Sequence, residues 1–174
     1  MRNVVATSLL LSSLLTCNDA VAQEKPATLV FSVRTWTGDY YSKDIYGGVE
    51  MTPIRGAIYT VRADGKNLKK IVEPSKNTDY PTFSSDAKWV YFQSNATGRS
   101  HVYRSKPDGT GGINLTDGDR LGKQWKDSYG YSLSVDGKKM LFTVHDGSSS
   151  RVAFANADGS EPRLLAPHLA YMAH

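Results

Sequence analysis

One phrase recurs along this chain at a spacing that constrains its fold more than any other feature. The two clearest copies begin with Ser-x-Asp-(Gly/Ala)-Lys, continue through two strand-like segments, and end with Asp-Gly and a short apolar segment. Asp86 and Asp108 are separated by 22 positions, and Asp136 and Asp158 by the same 22. A repeat of about 40 to 50 residues with four strand signals is typical of a β-propeller blade. The chain is therefore predicted to be all-β, with blades of four antiparallel strands.

Three such copies fit into the 174 residues, and the first copy is incomplete. The predicted blades span residues 28–74, 78–118 and 128–167, and residues 169–174 begin a next strand. The first copy starts with what corresponds to the second strand of a blade. Residues 169–174 could supply its missing inner strand, a closure that hides sheet edges in propellers. Because propellers have about four to eight blades, the chain is expected either to be part of a longer propeller or to combine with other copies.

The first 22 residues have the pattern of an export signal. Arg2 is followed by an apolar run from Val4 to Leu15, and Ala20-Val21-Ala22 supplies a small-x-small cleavage pattern. The only cysteine, Cys17, follows a residue larger than a lipoprotein signal favours, so cleavage after Ala22 is preferred to lipid attachment. The mature domain, residues 23–174, would then have no thiol and no disulfide. Such a domain suits the bacterial periplasm or secretion.

Charge and hydropathy argue against two classes of partner. The formal net charge is +4, but the basic residues are scattered, with no run longer than Lys69-Lys70 or Lys138-Lys139. Nucleic-acid sites normally show clustered basic residues, so no nucleic acid is expected. The N-terminal apolar run is too short for a membrane span, and no second run follows it.

Aspartate and glycine residues mark the predicted turns between strands. A tight turn needs positive φ, which glycine adopts at little steric cost, and aspartate can hydrogen-bond within its own turn. A structural role, rather than a catalytic one, is therefore predicted for Asp64, Gly65, Asp86, Asp108, Gly109, Asp136, Gly137, Asp158 and Gly159.

The repeat resembles the Asp-Gly propeller repeats of the TolB type. The best match is the segment from Tyr80 to Lys88, followed by Asp108-Gly109 and Asn114-Leu115-Thr116. The resemblance covers residues 56–174, and 28–55 more loosely. Ala87 stands where such repeats usually have glycine. The resemblance implies the fold but not one function, because these repeats occur in periplasmic TolB and in propellers attached to peptidases or polysaccharide lyases.

The sequence contains no recognisable catalytic motif. Gly-x-Ser-x-Gly and His-Glu-x-x-His are both absent from the sequence, and the four histidines are isolated from one another. His145-Asp146 could hold a metal only if His101 or His168 converged on it, and surface roles are commoner. We therefore expect no catalytic residue, no metal and no cofactor.

The candidate binding residues are aromatic and lie in two predicted loops. Residues 35–55 contain Trp36, Tyr40, Tyr41 and Tyr46, and residues 117–128 contain Trp125. Long loops in compact domains are often functional, and flat rings suit contacts with protein and sugar alike. Alternatively, the rings of residues 35–55 fold over the blade edge as a local core.

Two functions follow from these observations. The first is an exported, non-catalytic propeller module that binds a protein or an envelope polymer through its loops, with homo-oligomerisation as one way to complete the propeller. The alternative is the propeller portion of an exported peptidase or polysaccharide lyase whose catalytic part lies elsewhere.

Overall fold

The computed structural model describes residues 27–36, 42–43, 49–50, 54–76, 78–117 and 121–165. Within these ranges the secondary structure consists of thirteen β-strands. They are β1 (Thr28–Trp36), β2 (Ser42–Lys43), β3 (Val49–Glu50), β4 (Ile54–Arg62), β5 (Lys69–Lys76), β6 (Asp79–Phe83), β7 (Val90–Ser94), β8 (His101–Ser105), β9 (Ile113–Asn114), β10 (Asp127–Leu133), β11 (Lys139–His145), β12 (Ser150–Asn156) and β13 (Arg163–Leu164). The all-β prediction is confirmed. A search of the same ranges for a helix long and apolar enough to cross a membrane finds none.

The strands form three antiparallel sheets and one short two-stranded pair. The first blade has the order β1-β4-β5, the second β6-β7-β8-β9 and the third β10-β11-β12-β13, while β2 pairs with β3. The prediction of four-stranded blades is confirmed for the second and third blades. In the described ranges the sheet of the first blade has three strands, and β1 holds the place that β7 and β11 hold in the other two blades. Residues 169–174, predicted to begin a next strand, lie outside the described residues.

Strand β1 shows how the alternation of side chains divides a blade into two faces. Successive side chains of a strand point to opposite faces of the sheet. Val30 is half-buried and packs against the cluster that joins the first and second blades. Leu29, Phe31 and Val33, on the opposite face, are exposed.

The hydrophobic core lies between blades rather than inside one sheet. Between the first and second blades, Ile58 and Ile71 pack with Val90 and Phe92. A larger cluster joins the second and third blades, formed by Tyr91, Val102, Leu115, Trp125, Met140, Phe142, Val144, Ala153 and Ala155. Full burial of one large apolar side chain contributes about 1.5–3 kcal/mol, so these two clusters account for much of the attachment of one blade to the next.

Hydrogen bonds also join the second blade to the third. The Ser128 amide donates to the Ser100 carbonyl at 2.7 Å, and the Tyr91 hydroxyl donates to the Ala157 carbonyl at 2.8 Å. Together with the larger apolar cluster, these bonds hold the third blade against the second, and residues of β6 and β10 line a cavity between the two blades.

Candidate functional site

The aspartates of the repeat hold tight turns through one recurring hydrogen bond. Each carboxylate accepts the backbone N–H two residues later, at 2.9–3.1 Å. This geometry is found at Asp64, Asp86, Asp108, Asp136 and Asp158. Gly65, Gly109, Gly137 and Gly159 have φ between +67° and +86°, a region that glycine adopts without a steric penalty. The turn geometry accounts for the repetition of these residues.

Hydroxyl groups in four of these turns lower the pKa of the carboxyl, at Asp86, Asp108, Asp136 and Asp158. The Ser84 hydroxyl and then the Lys88 amide donate to Asp86 and lower its pKa to about 2. The pKa of Asp136 is lowered in the same way by the Ser134 hydroxyl and then by the Lys138 amide. Hydrogen bonds to the ionised form favour it, so these carboxylates remain charged and bound within their own turns.

A cavity of about 670 Å³ between the inner strands β6 and β10 is the best candidate for a binding site. Tyrosine rings from both strands line it, together with neutral polar and apolar side chains, among them Tyr80, Thr82, Gln93, Tyr129, Tyr131 and Leu133. None of its described lining residues is acidic, basic or histidine. Concave sites of this size, with apolar walls and a few polar groups, are typical of ligand pockets.

Irregularities in both inner strands shape this cavity. The pairing of β6 with β7 shifts between Asp79 and Thr82, and the pairing of β10 with β11 shifts between Tyr129 and Ser132. Within the first irregularity, Tyr80 has φ +53° and is 63% exposed. Such bulges turn side chains out of the regular alternation, and here the backbone leaves the ring of Tyr80 accessible.

The hydroxyl groups around the cavity are held by the protein. The Tyr131 hydroxyl donates to the Tyr80 carbonyl at 2.5 Å, and burial raises the pKa of Tyr131. The Gln93 side chain accepts from the Gly130 amide at 3.3 Å and donates to the Ser100 hydroxyl at 3.0 Å. Tyr131 is therefore a neutral phenol at physiological pH, and the described lining of the cavity carries no charged side chain.

One ion pair lies at the edge of the cavity. Asp79 forms an ion pair with Arg34 and accepts a hydrogen bond from Ser32, which links β1 to β6. The Arg34 guanidinium also lies 5.5 Å from the centroid of the Tyr80 ring. The arginine thus orients the exposed tyrosine, while Asp79 balances its charge.

A second cavity, of about 430 Å³, lies among the turns at the end of the second and third blades. Arg104 lies 4.1 Å from the centroid of the Trp89 ring, and Asp86, Asp136 and Asp158 are among the lining residues. Because all three carboxylates accept hydrogen bonds within their own turns, this cavity is a weaker candidate.

Of the five aromatic residues predicted to bind, only Trp125 has a described side chain, and it does not line the cavity. Trp36 is the last residue of β1, but its side chain lies outside the described part of the structure, as do Tyr40, Tyr41 and Tyr46. Trp125 is only 7% exposed and belongs to the cluster between the second and third blades. Trp125 therefore has the environment of a core residue. A binding role for any of the five aromatic residues stays a prediction.

The sequence analysis missed the tyrosines of the inner strands. Tyr80 is the second residue of β6, and Tyr129 and Tyr131 are the third and fifth residues of β10, the inner strands of consecutive repeats. Aromatic residues at that place in two copies were a usable signal, since the inner strands of a propeller line its centre.

Two of the four histidines can be placed in the structure. His101 is buried, with its Nδ1 3.1 Å from the Thr116 carbonyl oxygen, and the His145 Nδ1 is 3.1 Å from the Ser150 hydroxyl. His168 and His174 lie outside the described residues. Among the described residues no group of three metal-ligating side chains comes together.

Comparison with known sequences gives one distant relative. The chain is 29% identical over 141 residues to an uncharacterized protein of Agrobacterium fabrum, an alignment that covers 76% of this chain and 40% of that protein. No known family model matches the sequence. The chain thus spans less than half of the length of the relative that it matches.

Comparison with solved structures gives the fold. A candidate TolB from Agrobacterium tumefaciens matches with a TM-score of 0.55 and 22% identity, over 66% of this chain and 44% of that chain. An oligogalacturonate lyase in complex with manganese matches with a TM-score of 0.59 and 14% identity, over 80% of this chain and 38% of that chain. The described part of this chain therefore has the fold of β-propeller repeats of the TolB type.

Proposed function

We propose that this protein is an exported, non-catalytic propeller module that binds a protein or a cell-envelope polymer. The observation that carries the proposal is the cavity between β6 and β10, whose described lining is uncharged and includes three tyrosines from these two inner strands. Aromatic walls with a few fixed polar groups are suited to binding and orienting a ligand.

The chemistry of the cavity favours an uncharged, extended ligand. The exposed ring of Tyr80 offers a flat surface for a sugar ring or a peptide side chain, and the Gln93 amide and Thr82 hydroxyl supply hydrogen-bonding groups. A strongly charged ligand would find no counter-charge on the described lining residues, because Arg34 is paired with Asp79 at the edge.

The predicted aromatic loop is connected to this cavity through the chain. Strand β1 ends at Trp36, two residues after Arg34, whose guanidinium contacts the ring of Tyr80. The chain therefore enters the segment that contains Tyr40, Tyr41 and Tyr46 close to the edge of the cavity. We propose that these aromatic residues extend the binding surface beyond Tyr80.

Export is the second part of the proposal. Residues 1–22 are proposed to be a signal peptide cleaved after Ala22, which would deliver residues 23–174 to the periplasm or the medium. N-terminal sequencing of the protein recovered from a periplasmic fraction should begin at Gln23. A protein that retains residues 1–22 would contradict this part of the proposal.

Binding can be tested by comparing two single substitutions. The full chain, Tyr80→Ala and Ile113→Ala are each sedimented with purified peptidoglycan sacculi and used as bait in a periplasmic extract. Ile113 is 44% exposed on the outer strand β9, so it is a control for loss of exposed apolar surface away from the cavity. We expect the full chain and Ile113→Ala to retain the partner and Tyr80→Ala to lose at least tenfold in binding.

Two outcomes would contradict the assignment. Equal binding by Tyr80→Ala and the unchanged chain would exclude the cavity as the binding site. The double substitution Trp36→Ala with Tyr41→Ala would then test whether the loop binds on its own. Failure of the unchanged chain to bind any component of either preparation would contradict the binding function itself.

The second candidate function is the propeller portion of an exported enzyme. The similarity in fold to an oligogalacturonate lyase is the observation that favours it. It predicts that coding sequence contiguous with this chain specifies further blades or a catalytic domain. The isolated chain and the longer product are both assayed for lyase activity on oligogalacturonate with manganese. Activity of the longer product alone would support this candidate over the first.

A further inference from the structure

Each contact between blades in this protein is made by two different faces. The leading face of a blade, defined here as the face toward the preceding blade, carries Val90 and Phe92 in the second blade and Met140 and Phe142 in the third. These four side chains are at most 5% exposed. The trailing face, toward the following blade, carries Ile58 in the first blade, which is fully buried.

The first blade has a leading face that nothing in the described structure covers. Leu29, Phe31 and Val33 are 53%, 36% and 40% exposed. Phe31 pairs with Tyr59 across β1 and β4, and their rings stack at 5.7 Å. In the second blade, Phe92 and its cross-strand partner Tyr103 stack at 5.6 Å, and there Phe92 is only 5% exposed. The first blade therefore repeats a contact surface that is buried one blade later.

The third blade has the matching trailing face. Leu141 corresponds in the repeat to Tyr91, which is 1% exposed against the third blade, but Leu141 itself is 38% exposed. Leu165 donates its amide to the Val152 carbonyl at 2.8 Å, as Leu115 does to Val102 at the same distance. Thus the backbone that presents a trailing face is already formed in the third blade.

A glycine contact shows how closely the two faces meet. A Cβ added to Gly109 would lie 2.6 Å from the Ile71 carbonyl oxygen of the first blade, and one added to Gly159 would lie 2.6 Å from that of Leu115 in the second. Gly65 is the equivalent residue of the first blade, and no atom lies within 4 Å of a Cβ placed there. In the repeat, the residue that would lie next to Gly65 corresponds to Ile71 and Leu115. The third blade carries this corresponding residue as Leu165.

We propose that a second copy of this chain covers both faces. The third blade of each copy packs on the first blade of the other, so Gly65 of one copy meets Leu165 of the other. The two contacts are identical, and together they close a ring of six blades, within the range of about four to eight that propellers adopt. Head-to-tail contacts form a closed ring when the rotation allows closure and an open filament when it does not. This inference does not depend on the identity of the ligand.

Solution mass provides the first test. The full chain is measured by light scattering after size-exclusion chromatography, together with Gly65→Ala and Gly98→Ala. Gly65 and Gly98 have φ of +79° and +89°, and neither has an atom within 4 Å of its Cβ position, so the two substitutions impose similar backbone strain. We expect twice the chain mass of 19.1 kDa for the unchanged protein and for Gly98→Ala, and the single mass for Gly65→Ala.

A crosslinking experiment distinguishes the head-to-tail ring from other dimers. Leu29→Cys and Leu141→Cys are made separately in a Cys17→Ser background and oxidised alone and as a refolded mixture. In the proposed ring Leu29 of one copy faces Leu141 of the other, so disulfide-linked dimers should form only in the mixture. A crosslink within Leu29→Cys alone would indicate a symmetric interface and would overturn the proposal.

Three further outcomes would overturn it. A monomeric full chain would leave the two faces to the blades of a longer protein or to an unrelated partner. Open-ended oligomers would show that the faces meet without closing a ring of two. A dimer of Gly65→Ala as stable as that of Gly98→Ala would place the interface elsewhere.

Discussion

Ala87 occupies a backbone conformation that its own repeat reserves for glycine. Its φ is +54°, and the residue at the same position of the next blade is Gly137, with φ +67°. An L-residue in this region pays a steric penalty of about 1–2 kcal/mol, because its Cβ crowds the following carbonyl oxygen. Ala87, which stands where the repeat has glycine, is therefore a local source of backbone strain.

Replacing Ala87 by glycine should relieve that strain. We expect Ala87→Gly to raise the free energy of unfolding by about 0.5–1 kcal/mol, after the larger entropy of the unfolded chain is taken into account. Urea denaturation followed by circular dichroism measures the change, with Val135→Gly as the control, since Val135 is 99% exposed and its own φ is not positive. A lower midpoint for Ala87→Gly would contradict the argument.

The carboxylates of the turns should make stability depend on pH. The folded protein lowers the pKa of Asp86 from 3.8 to about 2, and it also lowers the pKa of Asp136. Between about pH 5 and 2 the unfolded chain consequently binds more protons than the folded protein, so stability falls as the pH is lowered through this window. Urea midpoints measured at pH 7, 4 and 3 should decrease in that order.

The hydroxyl donors provide the control for this pH effect. The double substitution Ser84→Ala with Ser134→Ala removes the first cause of both pKa shifts. The double variant should be less stable at pH 7 and lose less stability on acidification. The same pH dependence in both proteins would assign the effect to other carboxylates.

At the scale of elements, the first and second blades approach each other closely near the start of β4. A Cβ placed on Gly56 would overlap the carbonyl oxygen of Thr78, the residue that precedes β6. Thr78 is fully buried, and its hydroxyl is 2.7 Å from that of Ser94 and 2.5 Å from that of Ser75. Backbone and hydroxyl groups together leave no room for a larger residue at position 56.

Gly56→Ala should therefore loosen the first blade. We expect a loss of about 1–3 kcal/mol in the free energy of unfolding, as for other substitutions that overfill a packed site. Gly112→Ala is the matched control, because no atom lies within 4 Å of its Cβ position. Hydrogen exchange should show the loss as faster exchange in β1 and β4, and unchanged exchange there would contradict the prediction.

Much of this architecture could be predicted from the sequence because turns and alternation are local properties. The Asp-Gly spacing predicts hairpins at fixed intervals, and β8 pairs with β9, and β12 with β13, across such turns. The burial of Trp125 could not be predicted, since a loop residue reaches a core only through contacts distant in the sequence. The cavity depends on irregular pairing in β6 and β10, for which the sequence carries no simple sign.

At the scale of the whole molecule, successive blades are joined by side-chain clusters that connect each pair of neighbours. Such an arrangement resembles a repeat array, in which stability is approximately a sum of blade terms and interface terms. The described chain contains two interfaces for three blades. The proposed ring would contain six interfaces for its six blades, so closure adds one interface for each chain.

The exposed leading face of the first blade has a thermodynamic consequence for that ring. If Leu29, Phe31 and Val33 are buried only on association, unfolding becomes linked to dissociation, and the melting midpoint depends on protein concentration. Each tenfold dilution then weakens association by about 1.4 kcal/mol per mole of dimer. Differential scanning calorimetry over a hundredfold concentration range should show the midpoint rising with concentration for the full chain and staying constant for Gly65→Ala. Protein concentration, rather than any ligand, would then set how much of this propeller is closed.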